Sequence, residues 1–305
     1  MGIAAGGTTV TAGSAGRPGG AIYDRGYRHY DGPREGRERA VKALYWAAVR
    51  RALGIKRPWR TKIVPILLFL IAFAPAVAFV GIRVLVGEAA EELTGFGTFL
   101  RDSWLVLVLF AATAGPEMLC PDRRSRVLTL VFTRPVTRLD YLAGKLGALL
   151  SLMAIIAIGP LLVVFVGYAL TEPNGLTFVR DNLGDLGRIL AGGVLLTVFY
   201  SVVSLALASL TERRAIATAI FLGLFLATTA MSNTLYFTSD QIPGRRFLPY
   251  LSLGELQPRF ADWLFSAGSL SPLEGTPGSG FLVAILVVTV AAGILLALRT
   301  RRLSA

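Results

Sequence analysis

Six long apolar segments constrain this chain more than any other feature, because they decide which solvent surrounds it. They cover residues 63–86, 103–119, 146–170, 189–210, 215–237 and 281–298. A helix needs roughly 20 apolar residues to cross ~30 Å of hydrocarbon. Runs such as 66–73 are apolar on every side, and 54% of all residues are hydrophobic against 16% charged. The sequence therefore predicts an all-α, polytopic membrane protein with six transmembrane helices.

The basic residues predict how these helices are oriented. Of the 31 Lys and Arg residues, 24 fall in residues 1–62, 120–145, 213–214 and 299–305. If each segment crosses the membrane once, these four regions lie on the same side. The connection 87–102 on the other side carries four acidic residues and one Arg. Because basic residues stay on the cytoplasmic side of spans, both termini are expected in the cytoplasm. The net charge of +12 is then a topology signal, and no nucleic-acid partner is expected.

The region before the first span divides into two predicted parts. Residues 1–20 are expected to be a disordered tail, and residues 21–62 a cytoplasmic arm that contains an amphipathic helix. An apolar stripe at helical spacing predicts that this helix lies on the inner leaflet of the membrane, or alternatively packs on other protein. The stripe consists of Val41, Leu44, Tyr45, Ala48, Ala52 and Ile55.

The connection between the second and third spans carries the most specific local signals. Pro121 is expected to end the second span, and Asp122 to cap a short helix over residues 122–134. Pro135 would end that helix, and Thr137 with Asp140 forms a capping box for the next one. Apolar residues on a charged helix below the membrane fit either docking into a partner or resting on lipid.

These residues resemble the type-2 ABC transporter permeases. The resemblance rests on Glu117, Asp122, Arg123, Arg134, Pro135, Arg138, Tyr141, Gly144 and Lys145. It implies that helix 122–134 couples to a separate ABC ATPase subunit, and that two permease copies or paralogues enclose an export path in the cell (inner) membrane. ATP and Mg would then bind to the partner ATPase, and this chain would bind no cofactor. The coupling residues expected are Glu117, Asp122, Arg123, Arg124, Arg126, Val127, Leu130, Arg134, Pro135, Arg138, Tyr141 and Lys145.

The energy source is predicted from two missing patterns. The 305 residues contain no Gly-x-x-x-x-Gly-Lys-[Ser/Thr] phosphate loop, so ATP would have to be hydrolysed by a partner. The spans also lack the mid-membrane carboxylates that ion-coupled transporters use. We therefore expect a transport subunit that is not itself an enzyme and holds no metal. The alternatives are a non-transporting membrane anchor that passes ATPase motion outward, and a membrane-embedded lipid-modifying enzyme.

Three further features allow two readings each. Glu117 is either a structural partner for Arg123, Arg124 or Lys145, or part of a gate. The external connection 238–280 is either an outer gate or a passive interfacial cap. Polar residues on the fourth and fifth spans line a pathway or dimer seam, or else join helices within one bundle. Those polar residues are Thr197, Tyr200, Ser201, Ser204, Thr228, Thr229, Ser232 and Asn233.

Overall fold

A computed structural model describes most of the chain, namely residues 36–55, 58–59, 62–87, 94–125, 136–238, 245–265 and 276–302. Several predictions concern residues outside these ranges. They are the tail 1–20, the arm before residue 36, the central part of the coupling helix at 126–135, and parts of the connection 238–280. These stay predictions.

The described residues are 89% helical and contain no strand, which confirms the predicted fold class. Six helical segments are long and apolar enough to cross a membrane. We number the α-helices in chain order as α1 Arg37–Ala52, α2 Ile63–Val86, α3 Phe96–Asp102, α4 Trp104–Arg124, α5 Arg138–Ala157, α6 Gly159–Thr171, α7 Gly175–Asp181, α8 Leu183–Ala208, α9 Arg214–Thr238, α10 Leu253–Phe265 and α11 Ser279–Arg302, with a 3-10 helix at Arg245–Leu251 between α9 and α10.

The third span is built from two helices rather than one. α5 ends at Ala157 and α6 begins at Gly159, with Ile158 between them. Pro160 follows at once and has no backbone N–H to donate, so one hydrogen bond of a continuous helix is missing there. The two helices together, Arg138–Thr171, are longer than the predicted segment 146–170. The additional turns project from the start of α5.

The second span also extends beyond its predicted end. α4 continues through Pro116 and Pro121 to Arg124, so the prediction that Pro121 ends the span is wrong. A proline inside a helix frees the carbonyl four residues before it, and in membranes neighbouring side chains can satisfy that group. At Pro116 the freed carbonyl of Ala112 accepts a hydrogen bond of 2.8 Å from the Thr218 hydroxyl of α9. A neighbouring helix therefore supplies the donor that the proline lacks.

α8 is the central helix of the bundle, and the spans differ strongly in burial. α8 packs against α4, α5 and α11, and 67% of its apolar stretch is buried within the chain. The corresponding share is 17% for both α2 and α11, and 22% for α9. Small residues permit this close packing: a Cβ added at Gly115 of α4 would lie 1.9 Å from the Ser204 hydroxyl of α8. The outer faces of α2, α9 and α11 are left for lipid or another subunit.

The two ends of the bundle carry different elements. One end, which we call the basic end, is formed by α1, the last turn of α4, the first turns of α5 and the turn 209–213. The other, which we call the opposite end, is formed by α3, α7, the 3-10 helix and α10. α10 packs on α3, α9 and α11, so the described part of the connection 238–280 covers this end.

α1 is helical as predicted, and it packs on α5 of the same chain. Leu44 and Tyr45 approach the backbone of Gly144, and the Tyr45 hydroxyl donates to Ser151 at 2.9 Å. Trp46 and Ile55 remain about half exposed. The apolar stripe therefore lies against the bundle as far as Ala52, while Ile55 at its end and Trp46 outside it face outward.

Candidate functional site

A buried carboxylate lies at the centre of the basic end. Asp122, in the last turn of α4, is 8% exposed and accepts three hydrogen bonds. Lys145 Nζ lies 2.6 Å from its Oδ2 atom, and the Tyr141 hydroxyl donates to the same oxygen at 2.9 Å. The Arg51 guanidinium of α1 donates to its Oδ1 atom. We call Asp122, Arg51, Tyr141 and Lys145 the Asp122 network.

The local sequence of α5 explains how two of these groups reach Asp122. Tyr141 and Lys145 are four residues apart, which places them on one face of a helix. The start of that helix is defined by the predicted capping box, which the structure confirms: Thr137 accepts from the Asp140 backbone, and Asp140 accepts from the Thr137 backbone at 2.9 Å. The first turn of α5 is therefore held in register beside α4.

The capping residue Asp140 also ties α5 to the start of α1. Its carboxylate accepts from two guanidinium nitrogens of Arg37, at 2.7 and 2.8 Å. The hydrogen bond and the negative charge raise the pKa of Arg37. α1 is thus joined to α5 by an exposed pair at its first turn and to α4 by the buried Arg51 contact at its last.

The Asp122 network has an excess of positive charge. Lys145 is 2% exposed, and its ammonium group also donates to the Met118 carbonyl at 3.0 Å. One carboxylate therefore faces both an ammonium and a guanidinium in a largely dry site. Removing one partner of a buried ion pair costs about 3–5 kcal/mol, because the remaining charge loses its compensation. The three helices that supply these groups are expected to stay together as long as Asp122 is ionised.

Further contacts connect α4 to the turn between α8 and α9. Arg123 donates to the Ser209 carbonyl, and the Cys120 thiol lies 3.5 Å from the Thr211 carbonyl. Glu117 pairs with Arg214 at 2.7 Å. Of the two readings of Glu117, this contact favours a structural partner, although Arg214 was not among the three cations named for that role. The first residue of α9 lies directly beside α4. Displacing the end of α4 would therefore also displace the start of α9.

The predicted coupling residues are placed as follows. Asp122, Tyr141 and Lys145 meet in one network, but Asp122 lies inside α4 and does not cap a new helix. Arg124 is exposed at the end of α4, and Arg138 is the first residue of α5. The residues Arg126, Val127, Leu130, Arg134 and Pro135 lie outside the described part of the chain.

Two residues of this site, Arg51 and Arg37, were not predicted from the sequence. Arg51 could have been recognised from its spacing: it lies seven residues after Leu44 and three after Ala48, on the same helical face as the apolar stripe. A charged residue on a buried face needs a buried partner of opposite charge. Arg37 carries no comparable signal, because its partner Asp140 is distant in the sequence and the contact is exposed.

The polar residues of α8 make contacts inside the chain. The Tyr200 hydroxyl donates to the Gln257 side chain of α10 at 2.7 Å, and Ser204 donates to the Ala111 carbonyl of α4 at 2.5 Å. Thr197 and Ser201 are buried, and their hydroxyl groups have no hydrogen-bond partner among the described residues. Tyr200 and Ser204 therefore join helices of one bundle.

The polar residues of α9 hold the connection that follows it. Ser232 donates to the Leu248 carbonyl at 2.6 Å. The hydroxyl groups of Thr228 and Thr229 accept from the first two backbone N–H groups of α10. Asn233 is half-buried nearby. These contacts dock the start of α10 onto α9.

A charged pair also lies at the opposite end. Arg101 of α3 lies 3.3 Å from Asp262 of α10, and both side chains are largely buried. Burial raises the pKa of Asp262, and the nearby Arg101 opposes this shift. The pair joins the two short helices that cover this end.

Comparison with known proteins gives the identity of the fold. Residues 103–301, which run from the start of α4 almost to the end of α11, match the family described as ABC-2 family transporter protein. No curated protein matches the chain. The matched residues include the Asp122 end of α4, both halves of the third span and the central helix α8. The chain therefore belongs to the ABC-2 family of transporters, as a multi-pass membrane permease.

Proposed function

We propose that this chain is the permease subunit of an ATP-driven exporter, and that its energy comes from a separate ABC ATPase that docks on residues 122–134. Two copies, or one copy and a paralogue, would enclose the export path in the cytoplasmic membrane. Both termini would face the cytoplasm, and ATP with Mg would bind to the ATPase. The family membership supports the permease assignment.

The observation that carries this proposal is the Asp122 network. The connection 126–135 begins four residues after Asp122 and ends three residues before Arg138, the first residue of α5. Asp122 on the leaving side is joined by an ion pair and a hydrogen bond to Lys145 and Tyr141 on the returning side. The end of α4 and the start of α5 are thus bound to each other. A partner that pulls on the connection would therefore move α4 and α5 as one unit.

The same contacts suggest how such a movement would spread. α1 would move with α4 because Arg51 is bound to Asp122, and α9 would move with it because Arg214 is paired with Glu117. α8 packs against both α4 and α5, so their displacement must change packing at the centre of the bundle. Close-packed helices have discrete arrangements, and this is the usual way a local shift becomes a larger rearrangement.

The docking proposal is tested by reversing two positive charges at the start of the connection. Arg124 is exposed, whereas Arg123 holds the Ser209 carbonyl, so Arg124→Glu with Arg126→Glu is the informative pair. We expect this variant to lose co-purification of a phosphate-loop ATPase while its thermal unfolding temperature is unchanged. The control reverses two exposed charges at the opposite end, Arg180→Glu with Arg246→Glu, and should retain the ATPase.

The export proposal needs its own measurement. Cells that express the permease with its ATPase are compared with cells whose ATPase carries a substitution of the phosphate-loop Lys, and the solutes outside both are measured. A compound that accumulates outside only with the active ATPase supports export. A bound, active ATPase with no such compound would instead favour the non-transporting anchor. Retention of the ATPase by the Arg124→Glu, Arg126→Glu variant would contradict the docking site.

A further inference from the structure

A groove opens in the side of the bundle near the basic end. It has a volume of about 610 Å³ and lies between α1, α2, α4 and α9. Phe110, Thr113 and Glu117 of α4 form its floor, with Leu68 of α2 and Leu222 of α9 on its sides. The volume falls within the range of about 300–1,000 Å³ that is usual for small-molecule sites. The groove is therefore large enough for part of a lipid molecule.

The lining changes from polar to apolar along the groove. Arg51, Glu117 and Arg214 lie at the basic end, whereas Phe110, Leu68 and Leu222 lie further toward the middle of the bundle. Glu117 and Phe110 are seven residues apart on α4, which corresponds to about 10 Å along the helix. A ligand that fits this lining has a charged head and an apolar chain, which is the shape of a membrane lipid.

The charges at the polar end favour an anionic head. The charged lining residues are two arginines and one glutamate. Arg214 pairs with Glu117 through its Nη1 atom, yet its side chain is 65% exposed. Arginine carries five N–H donors, so one carboxylate contact leaves donors that can reach a phosphate. Basic pockets between spans are known to bind the heads of anionic lipids.

We propose that this groove binds one anionic glycerophospholipid from the surrounding leaflet, with its phosphate at Arg214 and an acyl chain along Leu68, Phe110 and Leu222. A helix of a second permease copy is the competing occupant. The outer faces of the spans are apolar, so such a helix would remove water from Arg214 and leave the N–H donors that Glu117 does not use without acceptors. A phosphate can accept from those donors and stay at the membrane surface.

The test measures lipid binding to the purified full-length chain by native mass spectrometry, with added palmitoyl-oleoyl phosphatidylglycerol or phosphatidylcholine as the probe. The wild-type protein should bind one phosphatidylglycerol about fivefold more tightly than phosphatidylcholine, as expected for one basic contact at the surface. Arg214→Ala should abolish this preference. Arg213→Ala removes the same charge from the neighbouring residue, which does not line the groove, and should keep the preference.

A second pair of variants tests the acyl-chain part without changing charge. Ala219 lines the groove on α9, so Ala219→Trp should weaken the binding of both lipids. Ala227→Trp, at an exposed position on the same helix outside the groove, should leave both unchanged. Equal binding of the two lipids to the wild-type protein, or equal losses in Arg213→Ala and Arg214→Ala, would overturn the proposal. A dimer that dissociates only in Ala219→Trp, without lipid binding to either form, would assign the groove to a second copy.

Discussion

The two ends of the bundle are held together by different chemistry. At the basic end, α1, α4 and α5 meet at the Asp122 network, where a single carboxylate compensates the buried Lys145 and the partly exposed Arg51. At the opposite end, α3, α8 and α10 meet at Gln257, which accepts from the Tyr200 hydroxyl and donates to the Leu100 carbonyl at 2.7 Å. That centre is neutral, although the Arg101–Asp262 pair lies beside it.

The two ends are therefore expected to lose different amounts of stability when a polar or charged group is removed. A neutral hydrogen bond loses about 0.5–1.5 kcal/mol when it is removed, whereas an uncompensated buried charge costs several times more. Three helices meet at the central group of each end, so the basic end is expected to lose more stability when that group is removed. Strong coupling of helices through one such group is expected of a region that moves as a unit. Substitutions at each end can measure how much the two ends differ.

The largest effect is expected for Asp122→Asn. The substitution keeps the shape of the side chain but leaves the buried Lys145 and the partly exposed Arg51 without their counter-charge, at a cost of about 3–5 kcal/mol. The measurement is thermal unfolding of the purified protein in detergent. Asp185→Asn, which removes a carboxylate from a partly exposed pair at the opposite end, should change stability by less than about 1 kcal/mol. The double variant Asp122→Asn, Lys145→Met should recover part of the loss, and its failure to do so would show that charge is not the cause.

A smaller loss is expected for Gln257→Leu at the opposite end. It removes a neutral group that joins α3, α8 and α10 and leaves the buried Tyr200 hydroxyl unpaired, at about 1–3 kcal/mol. The Leu100 carbonyl keeps the hydrogen bond that it accepts from Ser103 at 2.8 Å. Tyr200→Phe removes only one of these hydrogen bonds and should cost less. Thermal unfolding and amide hydrogen exchange in α10 are the measurements. A loss equal to that of Asp122→Asn would mean that the two ends do not differ in the way proposed.

Thr218→Val is expected to lower the free energy of unfolding by about 1 kcal/mol. Thr218 lies between the two ends of the bundle. The valine keeps the volume but cannot donate to the Ala112 carbonyl that Pro116 leaves free. Thr113→Val is the matched control, because the Thr113 hydroxyl bonds to carbonyls of its own helix at 3.0 and 3.1 Å and joins no other helix. Thermal unfolding of the two variants should rank Thr218→Val as the less stable. The opposite ranking would mean that the proline carbonyl is satisfied in another way.

Part of this arrangement could be predicted from the sequence. Hydropathy located the six spans, because an apolar helix in lipid needs no information about its neighbours. The capping box at Thr137 was also predictable, since both partners lie within one turn. The partners of Asp122 and Glu117 were not, because each contact joins residues on separate helices, up to 97 positions apart. The hydrogen bond from Thr218 to the Ala112 carbonyl, which Pro116 leaves free, is a tertiary contact of the same kind.

The smallest effect is expected within the basic end itself, for Arg37→Ala. Its pair with Asp140 has a length of 2.7 Å, similar to that of the pair between Lys145 and Asp122, but the Arg37 side chain is 61% exposed. Water and salt screen an exposed pair, and water also solvates the carboxylate when the arginine is removed. The unfolding temperature of Arg37→Ala should therefore equal that of the wild-type protein within error, at both low and high salt. Asp140→Ala is the informative partner, because it also removes the Asp140 half of the capping box and the negative charge at the start of α5, and should cost about 1 kcal/mol. A loss in Arg37→Ala as large as in Asp140→Ala would show that α1 is held by its first turn as well as by Arg51, and the contrast between the two ends would then depend on the number of charges rather than on their burial.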